Sequence, residues 1–230
     1  ADSASNTNVA VGNYTMAGVL NGATNNTCVG YGALNVFTEG DKNVAIGSSA
    51  GAAITTGDDN VLVGANAGDA INTGRYNVLM GTDAGGALTD GDHNVMIGNN
   101  AGATSDTTTS SAEYNVYVGS SAGRYLDDGL QNVAVGYEAM KSTGNTQNAQ
   151  YNTAVGYQAL TAITDGDSNV AVGTASGDAI DTGYANTLMG RYAGSAITGG
   201  ANNTCIGYAA GDSMTDNTNN VAIGSNALGV

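Results

Sequence analysis

Short apolar triplets recur along the whole chain, and each is preceded by an asparagine and followed by a glycine. The pattern Asn-[Val/Thr]-x-[Val/Ile/Met]-Gly occurs thirteen times, and most copies begin 17 residues after the previous one. Apolar triplets bounded by turn residues predict short β-strands, and a repeat this regular predicts a solenoid in which each copy forms one coil. The asparagines that begin the copies are Asn8, Asn26, Asn43, Asn60, Asn77, Asn94, Asn115, Asn132, Asn152, Asn169, Asn186, Asn203 and Asn220.

We therefore predict an all-β fold, a β-solenoid (β-roll) of about 13 coils with a 17-residue repeat, forming a single domain over residues 1–230. Residues 1–7 and 224–230 are predicted to be incomplete half-coils. Strand side chains alternate, and we interpret the outer two of each triplet, such as Val44 and Ile46, as facing the core. An alanine three residues after the strand glycine and a large apolar residue seven after it complete the predicted core. The large residues are Phe37, Ile54, Ile71, Leu88, Leu126, Ile163, Ile180, Ile197 and Met214.

The recurring asparagine has a predicted structural role. Its side-chain amide both donates and accepts hydrogen bonds, so identical asparagines in register can bond from coil to coil. We predict an asparagine ladder here and no ligand site.

The middle residue of the triplet, x, never carries a charge or an amide. If the flanking residues face the core, x forms an outward apolar stripe, which should be covered by a partner copy. The alternative, a flatter coil with x internal, stays open. Cysteines at this position could pair between subunits or act as small buried apolar residues. The candidate subunit interface comprises Leu62, Leu79, Met96, Tyr117, Leu188, Cys28 and Cys205, together with the chain ends Ala1 and Val230.

Two copies are longer than the rest, and the chain begins and ends within a copy. The extra residues lie in Thr104–Ser111 and Gly144–Gln150, which are either binding loops or tolerated slack. The half-coils at the two ends complete one another in phase. This favours a head-to-tail fibre or a closed ring, because an unpaired solenoid end exposes a strand edge.

Composition and charge exclude several classes of protein. The formal net charge of −15, from 20 acidic and 5 basic residues, argues against a nucleic-acid partner. No apolar run reaches the 18 residues that a membrane span needs. The chain begins Ala1-Asp2-Ser3-Ala4, which is compatible with a mature end left by a signal peptidase, and we expect an extracellular location.

The sequence offers little catalytic chemistry. The one histidine, His93, lies in a glycine-containing turn with no sign of the oriented base and buried acid that a catalytic triad needs. Turn acids such as Asp58, Asp59, Asp90 and Asp92 are candidates for calcium binding, since calcium favours oxygen-rich loops. The nonapeptide of calcium-binding β-rolls is absent, however. We predict solvated turn acids, no resident cofactor and no enzymatic activity.

The units Asn152–Leu160 and Asn43–Ala50 resemble two groups of repeats, the head of trimeric autotransporter adhesins of the YadA type and the repeat region of phage and bacterial tail fibres. The resemblance covers nearly the whole chain, from Asn8 to Leu228. It implies a β-solenoid at a cell or virion surface, self-associating through one apolar face and without catalytic activity. In adhesin heads the chains are trimeric, which would make Leu62–Tyr117 an inter-chain face.

The sequence thus predicts a non-enzymatic extracellular structural protein, a self-assembling subunit of a surface fibre joined head to tail through its ends. The alternative is an adhesin head or tail-fibre segment, trimeric, which binds a surface glycan or another cell-surface ligand.

Overall fold

The computed structural model describes residues 7–103, 112–126, 128–142 and 148–229. The chain divides into two compact units, residues 1–114 and 115–230, each built from the same coil. The single domain over 1–230 therefore stays a prediction. Ala1 and Val230, the insertion Thr104–Ser111 and most of the second insertion lie outside the described residues.

The predicted all-β solenoid is confirmed. The described residues form three-residue strands joined by turns, and they include no helix that could cross a membrane. Within each unit, every strand pairs in parallel and in register with the strand of the next coil, so that Leu62 lies opposite Ala45 and Leu79. The first unit contains β1 (Val9–Val11), β2 (Thr27–Val29), β3 (Val44–Ile46), β4 (Val61–Val63), β5 (Val78–Met80) and β6 (Val95–Ile97). The second contains β7 (Val116–Val118), β8 (Val133–Val135), β9 (Thr153–Val155), β10 (Val170–Val172), β11 (Thr187–Met189), β12 (Thr204–Ile206) and β13 (Val221–Ile223).

Each coil takes the number of its strand, and positions within a coil are counted from its asparagine, position 1. The strand then occupies positions 2–4, and the glycine that ends it is position 5. Gly47, at position 5 of coil 3, has a φ of +144°, and a β-carbon there would collide with the carbonyl oxygen of Gly64 in the next coil. Only glycine permits both this conformation and this close stacking of coils.

The predicted orientation of the strands is wrong. In β3, Ala45 at position 3 is completely buried, whereas Val44 is half-buried and Ile46 is exposed. The same pattern, with the middle residue buried, holds for every strand from β2 to β13. The cause is the asparagine at position 1, whose side chain points into the coil. Because side chains alternate, position 3 shares that inner face and positions 2 and 4 point outward.

The remainder of the predicted core is confirmed. The large apolar residue seven positions after the strand glycine is buried in all nine coils where it was predicted. The alanine at position 8 is also buried in most coils, for example Ala50 and Ala193, although Ala227 is only half-buried.

Most coils hold one large core side chain in addition, and it comes from one of two places. Leucine, methionine or tyrosine at position 3 is always accompanied by glycine at position 9, as in Leu188 with Gly194. A β-carbon on Gly194 would lie 2.7 Å from Leu188 Cδ2. Where position 3 is alanine, position 9 often supplies the large residue, as in Ala154 with Leu160. Both solutions fill the same space between the two sides of the coil, which keeps the core closely packed.

Candidate functional site

The seven predicted interface residues at position 3 are not at a surface. Leu62, Leu79, Met96, Tyr117, Leu188, Cys28 and Cys205 all have exposed fractions of 0–1% within the chain itself. Their assignment to a subunit interface is therefore corrected, and the alternative of an internal position 3 holds. The other two candidates, Ala1 and Val230, lie outside the described residues.

The cysteines act as buried apolar residues. Cys28 and Cys205 are both free thiols without a disulfide partner in the described structure. Burial raises the pKa of Cys28 to about 12 and raises the pKa of Cys205 as well. A thiol that stays protonated is a poor nucleophile and a poor metal ligand, which leaves these cysteines a packing role.

The predicted asparagine ladder is confirmed, and it is buried. Asn60 donates its backbone N–H and its Nδ2–H to Asn43 Oδ1, at 3.0 and 3.1 Å, and its Nδ2 also donates to the Gly74 carbonyl at 2.8 Å. Its own Oδ1 accepts the same pair of bonds from Asn77. Each such side chain closes its own coil and joins it to both neighbours, so the ladder has no spare group for a ligand.

Several turn acids have a structural role that the sequence did not predict. At position 16, an aspartate Oδ1 accepts the backbone N–H of position 16 in the preceding coil. Asp58 does so from Asp41 at 2.8 Å, and Asp92 from Arg75 at 2.6 Å. These acids are half-buried, so they join consecutive coils as well as facing solvent. Within the described ranges, no three acidic, histidine or cysteine side chains converge as metal ligands.

Two aspartates at position 10 are set apart by burial. Desolvation raises the pKa of Asp69, with a contribution from the charge of Asp83, and desolvation also raises the pKa of Asp178. The Asp178 carboxylate accepts backbone N–H bonds from its own residue and from Ala179, yet its Oδ1 is buried without a hydrogen bond.

The outward side chains of the strands form the main apolar surface, which we call the strand face. It consists of positions 2 and 4 of all coils, occupied only by valine, threonine, isoleucine and methionine. Position 2 is mostly half-buried, and position 4 is half-buried to exposed, with exposed fractions such as 40% for Ile46, 39% for Met80 and 44% for Met189. A continuous apolar surface along each unit marks a place where another molecule can bind.

Charge is excluded from this surface. None of the 20 acidic residues falls at positions 1–6 of any coil, and Arg191 at position 6 of coil 11 is the one basic residue there. The acids lie in the turns and in the segment after the strand. The strand face is thus a neutral surface on a strongly acidic chain.

Exposed aromatic side chains stack between neighbouring coils. His93 lies between Tyr76 and Tyr114, with ring centroids 4.8 and 5.0 Å away and nearly parallel planes. In the second unit, Tyr137 and Tyr157 at position 6 stack at 5.5 Å. These stacks border the neutral surface.

No protein-family model, curated protein or solved structure matches the chain. The structure alone therefore defines the fold class, a parallel β-solenoid held by a buried asparagine ladder. The strand face was missed because positions 2 and 4 were assigned to the core. A signal was present in the sequence, since large residues at position 3 occur only opposite glycine at position 9.

Proposed function

We propose that this protein is a non-enzymatic structural protein of the extracellular surface that self-associates through its strand face. The observation that carries the proposal is the continuous neutral surface of positions 2 and 4, exposed along both units. Flat apolar surfaces of this kind become buried in stable assemblies.

The charge distribution favours a second copy of the chain as the occupant. Two molecules of net charge −15 repel each other unless their acidic turns stay apart. Contact between two strand faces buries apolar side chains and keeps the carboxylates in water, where they are well solvated. Growth of a fibre head to tail through Ala1 and Val230 stays a prediction.

A second candidate function is recognition of a surface ligand, as in an adhesin head or a tail-fibre segment. The exposed tyrosines at position 6 favour it, because aromatic rings with one face free are common in binding surfaces. Tyr137, Tyr157 and Tyr208 each have about half of their surface exposed.

Electron microscopy and sedimentation velocity over a concentration series test self-association. We expect the wild-type chain to form oligomers or filaments as concentration rises. The double variant Ile46→Glu/Met80→Glu places two carboxylates on the strand face, where association would bury them. It should remain monomeric at concentrations at which the wild type assembles, because a buried unpaired charge is strongly unfavourable.

The matched control is Thr56→Glu/Thr182→Glu, which adds the same charge at position 14, in the turns. This variant should assemble like the wild type at moderate ionic strength. A wild-type chain that stays monomeric at every concentration would contradict the proposal. Equal assembly of both double variants would show that association uses another surface.

A further inference from the structure

Position 6 of the second unit carries three tyrosines, Tyr137, Tyr157 and Tyr208, and the last two are separated by Thr174 and Arg191. The Tyr157 ring stacks on Tyr137 with an interplanar angle of 16°, so one of its faces is covered and the other points towards coil 10. Coil 10 has only Thr174 and the buried Ala175 at positions 6 and 7. We call the space beside the free face of Tyr157, between the side chains of coils 9 and 11, the notch.

The other side of the notch is formed by coil 11, where Arg191 and Tyr192 occupy positions 6 and 7. The Arg191 guanidinium lies over the Tyr192 ring, 4.6 Å from its centroid, and Nη2 donates to the Tyr192 hydroxyl at 3.0 Å. Tyr208 in coil 12 meets Tyr192 edge to face, with centroids 6.2 Å apart. These contacts hold the guanidinium in place at the surface.

Arg191 differs from the other well-placed cations of the chain. Lys42, Arg75 and Lys141 each pair with a carboxylate, whereas no ion pair of Arg191 occurs among the described residues. It is also the one charged residue at positions 1–6 of the thirteen coils. An ordered guanidinium without a carboxylate partner, on a chain with 20 acids, is available to bind an external anion.

We infer that the notch between Tyr157 and Arg191 binds an acidic sugar, a pyranose that carries a carboxylate. Coils 9 and 11 are separated by two strand spacings, or about 9.6 Å, which leaves room for one ring between their side chains. The free face of Tyr157 offers an apolar surface to the sugar ring, the Thr174 hydroxyl can bond to a sugar hydroxyl, and the guanidinium binds the carboxylate. The inference rests on the second candidate function, for which it names the ligand and the site.

The combination of the Tyr157 ring and the Arg191 charge favours an acidic sugar over a small carboxylate or a neutral sugar. A small carboxylate would reach Arg191 but leave Tyr157 unused, and a neutral sugar would leave the guanidinium unpaired. Guanidinium–carboxylate contacts are planar and bidentate, so they also fix the orientation of the ring. The net charge of −15 repels the ligand at long range. Binding should therefore strengthen as salt rises to about 0.15 M, where the Debye length is about 8 Å.

Nuclear magnetic resonance titration of the full chain tests the inference. The three arginines, Arg75, Arg124 and Arg191, provide separate Nε–H signals. Methyl β-D-glucuronide should shift the Arg191 signal and the Tyr157 ring protons, and it should bind about tenfold more tightly than methyl β-D-glucoside. Arg191→Gln should abolish this preference, and Arg191→Lys should lose most of it, because an ammonium is not bidentate.

The matched control is Arg124→Gln. Arg124 also lies over a tyrosine, 4.9 Å from the Tyr125 centroid, but it has no aromatic notch in a neighbouring coil. This variant should keep the preference for the glucuronide. Equal binding of both sugars, equal binding of acetate and glucuronide, or no shift at Arg191 would each overturn the inference.

The same titration on the monomeric Ile46→Glu/Met80→Glu variant shows whether sugar binding depends on self-association, because those residues lie in the first unit and the notch lies in the second. Sugar binding by a wild-type chain that stays monomeric at every concentration would support the site and contradict the structural proposal. Self-association without sugar binding would do the reverse.

Discussion

At position 1 of an interior coil, the side chain meets four hydrogen-bonding groups in a buried site. Asn60 illustrates the requirement, since its Nδ2 donates to Asn43 and Gly74, and its Oδ1 accepts from the N–H and Nδ2–H of Asn77. Aspartate has the acceptor but lacks the donor, and it would bring a buried charge. Alanine supplies neither group. The chemistry of one residue therefore explains why asparagine begins every coil.

Asn60→Ala should destabilise the chain markedly. It removes the partner of the Gly74 carbonyl and of the Asn77 backbone N–H, both in a buried setting. Each buried polar group left without a partner costs about 1–3 kcal/mol. We expect the free energy of unfolding, measured by urea denaturation, to fall by about 3 kcal/mol.

The control for Asn60→Ala is Asn72→Ala, because the Asn72 side chain is exposed. Asn72 Oδ1 accepts a bond from the Thr55 hydroxyl at 2.6 Å, but water can replace that bond. Its loss should cost no more than about 0.5 kcal/mol. Equal effects of the two substitutions would mean that the ladder contributes little to stability.

The ladder is predictable from the sequence, and it also determines which way the rest of the strand faces. A buried asparagine at position 1 requires a buried residue at position 3, because both lie on the same side of the strand. Valine and isoleucine at positions 2 and 4 suggested the opposite orientation, since β-branched residues usually indicate a core. Here these residues point outward. Their β-branched side chains still suit a strand, and they keep the outer surface neutral.

At the scale of one coil, a large side chain fills the core, and it comes from either position 3 or position 9. Position 9 lies in the left-handed region, with φ of +50° at Leu160 and +62° at Gly194. Leucine there adopts a conformation that costs about 1 kcal/mol, which glycine avoids. The large side chain at position 3 is thus the less strained solution, and it requires glycine opposite. Once position 3 is known to be internal, this coupling between positions 3 and 9 is clear in the sequence.

Ala154→Leu and Leu160→Gly in coil 9 should compensate each other. Leu160→Gly alone leaves a cavity and should lower the free energy of unfolding by about 2–4 kcal/mol. Ala154→Leu alone overpacks the core and should cost about 1–3 kcal/mol. The double variant reproduces the arrangement of Leu188 with Gly194. We expect it to be within about 1 kcal/mol of the wild type in urea denaturation.

Ala45→Leu combined with Leu160→Gly serves as the control for this pair, because the two sites lie in different units. Their effects should add, since distant substitutions without shared contacts are independent. Additive effects of the coil 9 pair as well would show that positions 3 and 9 do not share one space.

At the scale of the whole molecule, charge is sorted by position in the coil. Acids occupy the turns, where aspartates such as Asp58 also bridge consecutive coils, and they are absent from the strand segments. The sorting leaves a neutral face for association and concentrates repulsion in the turns. A net charge of −15 on 230 residues opposes folding through this repulsion, so acid conditions that reduce the charge should stabilise the chain.

The folded chain should become more stable as pH falls from about 7.5 to about 5. Burial raises the pKa of Asp69 and Asp178 above their ordinary value, so between the ordinary and the raised pKa the folded state binds more protons than the unfolded state. The stabilisation is fully present below the ordinary pKa and is lost as pH rises through the folded one. The lowered pKa of Glu138, caused by its bonds to Lys141 and Gln158, acts in the opposite direction but only below its ordinary range. The urea midpoint should therefore be higher at pH 5 than at pH 7.5.

Asp178→Asn isolates the contribution of burial from that of general repulsion. It removes one half-buried acid, and Asp165→Asn removes one exposed acid from the preceding coil. Each variant removes one negative charge. If the urea midpoint loses more of its pH dependence in Asp178→Asn than in Asp165→Asn, the difference must come from desolvation of the Asp178 carboxylate. A urea midpoint that falls between pH 7.5 and pH 5 would contradict the assignment. Equal slopes for the two variants would show that net charge alone controls the response, and that the buried carboxylates bind no more protons in the folded state than in the unfolded state.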